Sequence, residues 1–212
     1  MQELKKSSSG QDRILEFTSR KLTNEELISG LSSGNPSAAR QFHIRFSANI
    51  SRWVWRIVGA DEEHEDLVQQ VLVNVITNIH SIKQADALDA WVRSVTIRVV
   101  KDELRRRKRR KRYLLRNAVT IEEDTAADPN SPFKQAHIQS FYGILNQMPP
   151  DDRIIFVLKH LEGYSNEQIA EYCGYSISTA KRRLERAKSR FLENAMKDYK
   201  LMSLIGGGDD VR

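Results

Sequence analysis

Apolar residues recur every three or four positions from Thr23 to Leu104 and again from Phe133 to Tyr199, and nowhere do they alternate with polar ones over the length of a strand. That spacing commits the chain to amphipathic helices that bury one face against other helices. Between the two blocks the periodicity stops: Glu122, Glu123, Asp124 and Asp128 gather there, punctuated by Pro129, Asn130 and Pro132. Such a segment reads as a linker. The expected fold class is all-α, with two small helical domains joined by a flexible linker. In residue terms this is a loose polar extension 1–21, a first domain 22–112, an acidic linker 113–134, a second domain 135–199 and a Gly-rich tail 200–212. With 40% hydrophobic residues in 212, two cores can form, each small and modestly stable.

Local signals mark the helices. Thr23 and Glu26 make a capping box ahead of Leu27, Ile28 and Leu31, and Gly34, Asn35 and Pro36 break that helix. Phe42, Phe46, Ile50, Trp53 and Ile57 line one face of the next, which Gly59 ends. Asp61 to Asp66 (DEEHED) suits a helix opening, where the dipole favours negative charge, and a wide stripe from Leu67 to Ile79 follows. After a polar loop, Leu88, Trp91, Val95, Val99 and Leu104 form another face, which runs into eight consecutive cations, Arg105 to Arg112.

The formal net charge of +6 points to a polyanionic partner, nucleic acid being the commonest. A lone cysteine, Cys173, rules out an internal disulfide and multi-cysteine zinc sites, and reads as a small packing residue. The five histidines lack ligand-like spacing, so neither metal nor cofactor is expected. No run approaches the roughly 18 apolar residues of a membrane span. The N-terminus lacks an apolar signal segment, and a cytoplasmic protein without membrane insertion is expected.

The strongest local pattern lies between Ser165 and Leu192. Ser165 and Gln168 box the start of a short helix holding Ile169, Ala170 and Tyr172, and Gly174 sits in a tight turn. Ser176 caps a second helix that buries Ala180, Leu184, Ala187 and Phe191. Its other face carries Ser178, Thr179, Lys181, Arg182, Arg183, Arg186, Lys188 and Arg190. This is a helix-turn-helix pattern whose second helix can offer arginine forks to guanine and further cations to phosphate. Asp151 and Asp152 open a support helix with Ile154, Val157, Leu158 and Leu161 inward, so the second domain is expected to be a four-helix, winged-helix-like helix-turn-helix domain.

The stretch from Leu145 to Phe191 (LNQMPPDDRIIFVLKHLEGYSNEQIAEYCGYSISTAKRRLERAKSRF) resembles the fourth conserved region of bacterial sigma factors. The pieces that carry the likeness are Met148-Pro149, Leu161 to Ser165, Glu167 to Ala170, Ser178 to Lys181, Arg183-Leu184 and Arg186-Ala187. In the first half, Asn24 to Gly34, Glu65 to Gln69, Leu88 to Val92 and Asp102 to Arg106 fall in the order and spacing of the second conserved region. With no sizeable domain between them, the pattern resembles the extracytoplasmic-function (ECF) group of the sigma-70 family, over roughly residues 22–195.

The resemblance implies a non-enzymatic subunit that binds core RNA polymerase and directs initiation by recognising −35 and −10 promoter elements. It implies core contact, at the clamp helices of the largest subunit, through Asp66, Leu67, Gln69, Gln70 and Val73, with the polymerase flap as a further partner. It implies −35 contact through Ser178, Thr179, Lys181, Arg182, Arg183, Arg186 and Lys188, and contact at and upstream of the −10 element through Lys83, Arg93, Arg98, Lys101, Arg105 and Arg106. Melted bases there need pockets beside backbone cations. An anti-sigma factor is a further implied partner. Gln70 stands where the family often has Glu, and Arg98 where it commonly has Asn. Trp91 reads as core before stacking platform. The linker suits either an RNA mimic in the polymerase or a plain tether.

Two other classes compete. A stand-alone helix-turn-helix regulator with an N-terminal sensing domain would bind duplex operators tightly by itself. An enzyme such as a nuclease would need a motif absent here; Asp61, Glu62, Glu63, Glu65 and Asp66 suit a helix start better than a cation site.

Overall fold

The structure, a computed structural model, describes residues 20–116 and 132–197. Eight α-helices lie among them: α1 Asn24–Ser32, α2 Pro36–Val58, α3 His64–Asn78, α4 Leu88–Arg116, α5 Pro132–Gln147, α6 Pro150–His160, α7 Asn166–Cys173 and α8 Ile177–Ala195. Two 3₁₀ turns, Ile79–Ser81 and Ala85–Ala87, join α3 to α4. No strand occurs among the described residues, so nothing there forms a wing beside the helix-turn-helix.

The helix ends follow the sequence signals. Thr23 accepts from the Glu26 amide while the Glu26 carboxylate returns to the Thr23 amide, closing the capping box of α1. The Asn35 side chain caps α2 through the Ser37 amide, with Pro36 in the first helical position, where a missing N–H costs nothing. Ser165 and Gln168 box α7, and Gly174 closes it in the left-handed region at φ 69°.

Three boundaries differ from expectation. α3 opens at His64 with no side-chain bond from its N-cap Glu63, which pairs with Arg107; Asp61 accepts from the Glu63 amide at 2.9 Å and also meets Arg107. Glu65 and Asp66 alone hold the dipole-favoured first turn. α4 runs to Arg116 and α5 begins at Pro132, so helix extends into both ends of the expected linker 113–134. The acidic stretch Glu122 to Asn130 and the tail 200–212 lie outside the described residues. At the other end Leu22 is buried and the Arg20 carbonyl accepts from Gln41, so residues 20–22 belong to the first domain.

The first core is the apolar face of α2 (Phe42, Phe46, Ile50, Trp53, Ile57) against Leu27 and Leu31 of α1, Leu67, Val71, Leu72 and Val75 of α3, and Val92, Val95 and Val100 of α4. Removing a side chain of this kind from water contributes about 1.5–3 kcal/mol. Trp91 packs against that core half-buried, as its spacing indicates. The second core joins Ile144 and Leu145 of α5 to Ile154, Ile155, Val157 and Leu158 of α6, with Ile169 of α7 and Ala180 and Ala187 of α8.

α6 is buried on more faces than its expected stripe, since Ile155, Phe156 and Arg153 are covered too. Phe156 stacks on Phe191 of α8 at 4.3 Å, and Arg153 is covered by the first domain. α4 lies along α6 and α7, and the end of α2 meets α6. Helix ends leave their last carbonyls without internal partners. For α2 they are met from the other domain: Arg153 donates to the Ile57 oxygen at 2.7 Å and the Val58 oxygen at 2.9 Å, and the Tyr142 hydroxyl lies 3.3 Å from the Trp55 and Arg56 oxygens. Gly59, at φ 86°, lets the chain turn there; a Cβ would stand 2.7 Å from the Tyr142 ring. Burial draws the Arg153 guanidinium down to about 10, still charged at neutral pH and well placed at a helix C-terminus.

Candidate nucleic-acid interface

Ser176 sets the start of α8 by accepting from the Thr179 amide. Beyond that cap, Ser178, Lys181 and Arg182 point to solvent, as does Lys188 two turns on, and Thr179 is half-buried beside the cap. The remaining cations of this helix are braced. The Arg183 guanidinium covers the Tyr175 ring at 4.8 Å and stands 4.0 Å from Asp151. Arg186 grips Asp152 with two hydrogen bonds, 2.8 and 3.2 Å, and Arg190 bonds the same carboxylate. Asp152 has no exposed side-chain surface, and its bond to Arg186 raises the arginine's pKa. The inward pairs fix the roll of α8 on α6, and Ser178, Lys181 and Arg182 are thereby aimed outward.

On the first domain, Asn24 pins the loop between α3 and α4 by donating to the Ala85 oxygen at 2.9 Å while accepting from Arg45 at 2.7 Å. Lys83 is exposed on that loop and Arg98 on α4. The other expected cations all have partners within the protein: Arg93 and Lys101 are half-buried, while Arg105 and Arg106 stay exposed. Arg93 lies between the Trp53, Tyr164 and Tyr172 rings, 4.7–4.8 Å from each centroid, and donates to the Tyr172 hydroxyl at 2.6 Å. Lys101 reaches Asp151 at 2.9 Å and Tyr175 at 3.2 Å. Arg105 reaches Asp151 at 2.9 Å, and Arg106 pairs with Glu103 at 2.6 Å. Within the Arg105 to Arg112 run, Arg107 sits half-buried among Asp61, Glu63 and Glu103, while Lys108 to Arg112 are exposed.

Burial opposes ionisation of Asp151, but hydrogen bonds from Tyr175, Lys101 and Arg105 outweigh it and hold its carboxyl well below the usual range. For Lys101 burial likewise works against charge, and the bonds to Asp151 and Tyr175 still raise its pKa.

On α3, Asp66, Gln69, Gln70 and Val73 are exposed. Leu67 is not among them. It is 3% exposed and turned into the first core, which corrects its expected place on the docking surface; Ile76, 41% exposed, widens the apolar part of that face instead. Cys173 packs half-buried and burial pushes its thiol up to about 12, in line with a packing role. Among the described residues no three His, Cys, Asp or Glu gather as a metal would need, and no helix is long and apolar enough to cross a membrane.

Sequence reasoning missed the residues that join the domains: Asp151, Arg153, Tyr142, Tyr172 and Tyr175. One signal was visible, an arginine within the apolar run of α6 (Arg153 before Ile154 and Ile155), which a solvent-facing helix does not require.

Two helical domains, one ending in a helix-turn-helix with outward cations, have the architecture of a DNA-binding protein. The family models agree on which: residues 45–110 match sigma-70 region 2 and residues 138–191 match sigma-70 region 4, together more than half of the chain. The chain is 28% identical over 134 residues to the ECF RNA polymerase sigma factor EcfG of Rhodopseudomonas palustris, covering 62% of this chain and 71% of that protein. Among solved structures it is similar to the sigma factor RpoE bound to the anti-sigma factor NepR from Bartonella quintana (TM-score 0.54, 23% identity, 75% of this chain and 97% of that one). A second is CnrH in complex with the cytosolic domain of CnrY (TM-score 0.53, 19% identity, 81% and 96%). The chain belongs to the sigma-70 family, in its ECF group. It is a sigma factor that directs promoter-specific transcription, and the stand-alone regulator is not favoured.

Proposed function

We propose that the two domains, 22–112 and 135–199, divide promoter recognition between duplex and melted DNA, with the polymerase supplying all catalysis. The observation that carries this is the outward start of α8: Lys181 and Arg182 point to solvent and Ser178 is exposed beside the Ser176 hydroxyl, while the Asp152 pairs hold the helix in one orientation. Residues in that position of a recognition helix reach base edges in the major groove. In this reading Arg182, with Ser178, Thr179 and Lys181, reads the −35 element, and Lys188 lies on phosphate. Arg183 and Arg186 act by orienting the helix, with their outer edges toward the backbone.

The first domain engages the −10 element through the loop held by Asn24, with Lys83 exposed on it and Arg93, Arg98, Lys101, Arg105 and Arg106 along α4. The face of Asp66, Gln69, Gln70 and Val73 docks on core polymerase, mixed polar and apolar as a charged, polar partner surface asks. Because the RpoE of Bartonella quintana is bound to an anti-sigma factor, an anti-sigma partner is part of this reading. So is a cytoplasmic place of work, where the polymerase is.

Run-off transcription with purified bacterial core polymerase and a fragment library tests it. The protein should produce initiation sites absent with core alone and should form a stable complex with core. No new sites and no complex would end the reading.

A further inference from the structure

Closure of the two domains occupies the cations that the first domain needs for DNA. Lys101 and Arg105 of α4, together with Arg183 of α8 and the Tyr175 hydroxyl, converge on one carboxylate, that of Asp151 in the first turn of α6. Three cations from two helices surround a single negative charge that is 16% exposed. A carboxylate and a phosphodiester each spread one charge over two oxygens, so the same cations fit either. Arg93, a fourth member of the DNA set, is enclosed by Trp53 of its own domain and Tyr164 and Tyr172 of the other. We infer that Asp151 is an internal stand-in for promoter phosphate: it holds the free chain closed over its own DNA-binding cations, and promoter DNA and closure compete for Lys101 and Arg105.

The competition is electrostatic and steric: a phosphate approaching Lys101 or Arg105 in the closed form meets the negative charge of Asp151 about 3 Å from both, and Lys101, only 19% exposed and already bonded to Asp151 and Tyr175, has little surface left to offer. A chain closed for most of its time binds DNA through these residues with an affinity reduced by its open fraction. The contacts suit a device that must open. Arg105 is 45% exposed, so its pair with Asp151 is screened by solvent and individually weak. The inference rests on the reading of Lys101 and Arg105 as DNA contacts, and its test separates the two.

The experiment uses the full chain, with a donor and an acceptor dye at Arg40→Cys and Lys197→Cys, one on each domain, and Cys173→Ala to leave no other thiol. The DNA probe is a fork-junction duplex with a single-stranded non-template tail, added without polymerase. The parent protein should show high energy transfer that falls as the probe saturates it. Asp151→Asn should lower transfer before any DNA is present and bind the probe on the order of tenfold more tightly. Tyr175→Phe, which keeps the ring and removes the hydroxyl that Asp151 and Lys101 both use, should shift both readouts the same way by less, and it decides the matter if Asp151→Asn does not fold. Glu193→Gln removes an equal charge from an exposed site away from the interface and should change affinity by less than about twofold. Unchanged transfer in Asp151→Asn overturns the latch. Opening without tighter DNA binding overturns it through its premise, because Lys101 and Arg105 are then not DNA contacts. An equal gain in Glu193→Gln reduces the effect to net charge and overturns it as well.

Discussion

α4 and α8 carry much of the positive charge on the described residues, and they use it in opposite ways. On α8 the bracing is local: Asp152 of the neighbouring α6, in the same domain, takes Arg186 and Arg190, and the start of the helix remains open. On α4 the bracing crosses between domains: Asp151, Tyr172 and Tyr175 take Lys101, Arg105 and Arg93, and part of the helix face that could bind DNA is covered. Two consecutive carboxylates, Asp151 and Asp152, thus point in directions about 100° apart around α6 and do different work. One fixes a reading head within its domain, and the other ties two domains together.

The largest effect that tests this contrast comes from the interdomain side. Arg153 is 3% exposed and fills two carbonyls at the end of α2. Arg153→Ala leaves those oxygens buried and unpaired and should cost about 3–4 kcal/mol. The signature matters more than the size. Differential scanning calorimetry should resolve one melting transition into two as the domains uncouple. Asp152→Ala should cost about 2–3 kcal/mol, at the low end for a buried carboxylate because both arginine partners are partly exposed. Its loss should appear in the melting of the second domain with the interdomain contacts intact. If Asp152→Ala splits the transition and Arg153→Ala does not, the contrast between bracing within the second domain and bracing across the two domains is wrong.

The same contrast explains what the sequence made legible. Periodicity and caps are local, so the helices, the capping boxes at Thr23 and Ser165, the Gly174 turn and the outward start of α8 could all be read from neighbours within a few positions. Leu67 was misplaced for a related reason: it stands beside Asp66 in a matching motif, but its position in the repeat of Leu67, Val71 and Val75 puts it on the core side. The link between the domains left almost no local trace. Asp151 and Asp152 fit a helix start equally well, and only the fold shows the first reaching α4 as well as Arg183 and the second bonded to α8 alone. Tyr172 reads as a core residue of α7, and its ring is buried as such, yet its hydroxyl reaches Arg93 on a helix 79 positions earlier.

Within α8, the open and braced cations should separate by promoter dependence. Arg182→Ala should cost about 1–2 kcal/mol of transition-state binding, roughly five- to thirtyfold in initiation, confined to promoters whose −35 sequence it reads. Lys188→Ala should lower initiation by a few-fold at all promoters alike and reduce the salt dependence of binding by about one counterion. Run-off transcription across a set of −35 variants at two salt concentrations measures both. A uniform loss for Arg182→Ala would move that residue from base reading to phosphate contact and leave α8 with no reading head.

The smallest effect concerns the acid limit of the closed form. Asp151 has its pKa held below the ordinary carboxylate value by Tyr175, Lys101 and Arg105, against the opposing pull of burial. A carboxylate depressed in this way stabilises the closed form fully above its ordinary value, about pH 4. That contribution is lost as the pH falls through its lowered value in the closed form. After solvent screening it amounts to on the order of 1 kcal/mol. Interdomain energy transfer followed from neutral pH into the acid range should therefore fall in the parent protein beyond any fall shared with Asp151→Asn, because carboxylates remote from Asp151 contribute alike to both. The difference between the two curves isolates Asp151. Superimposed curves would mean that the charge on Asp151 does not hold the domains together, and the closure of α4 would then rest on Arg153 and the tyrosines alone.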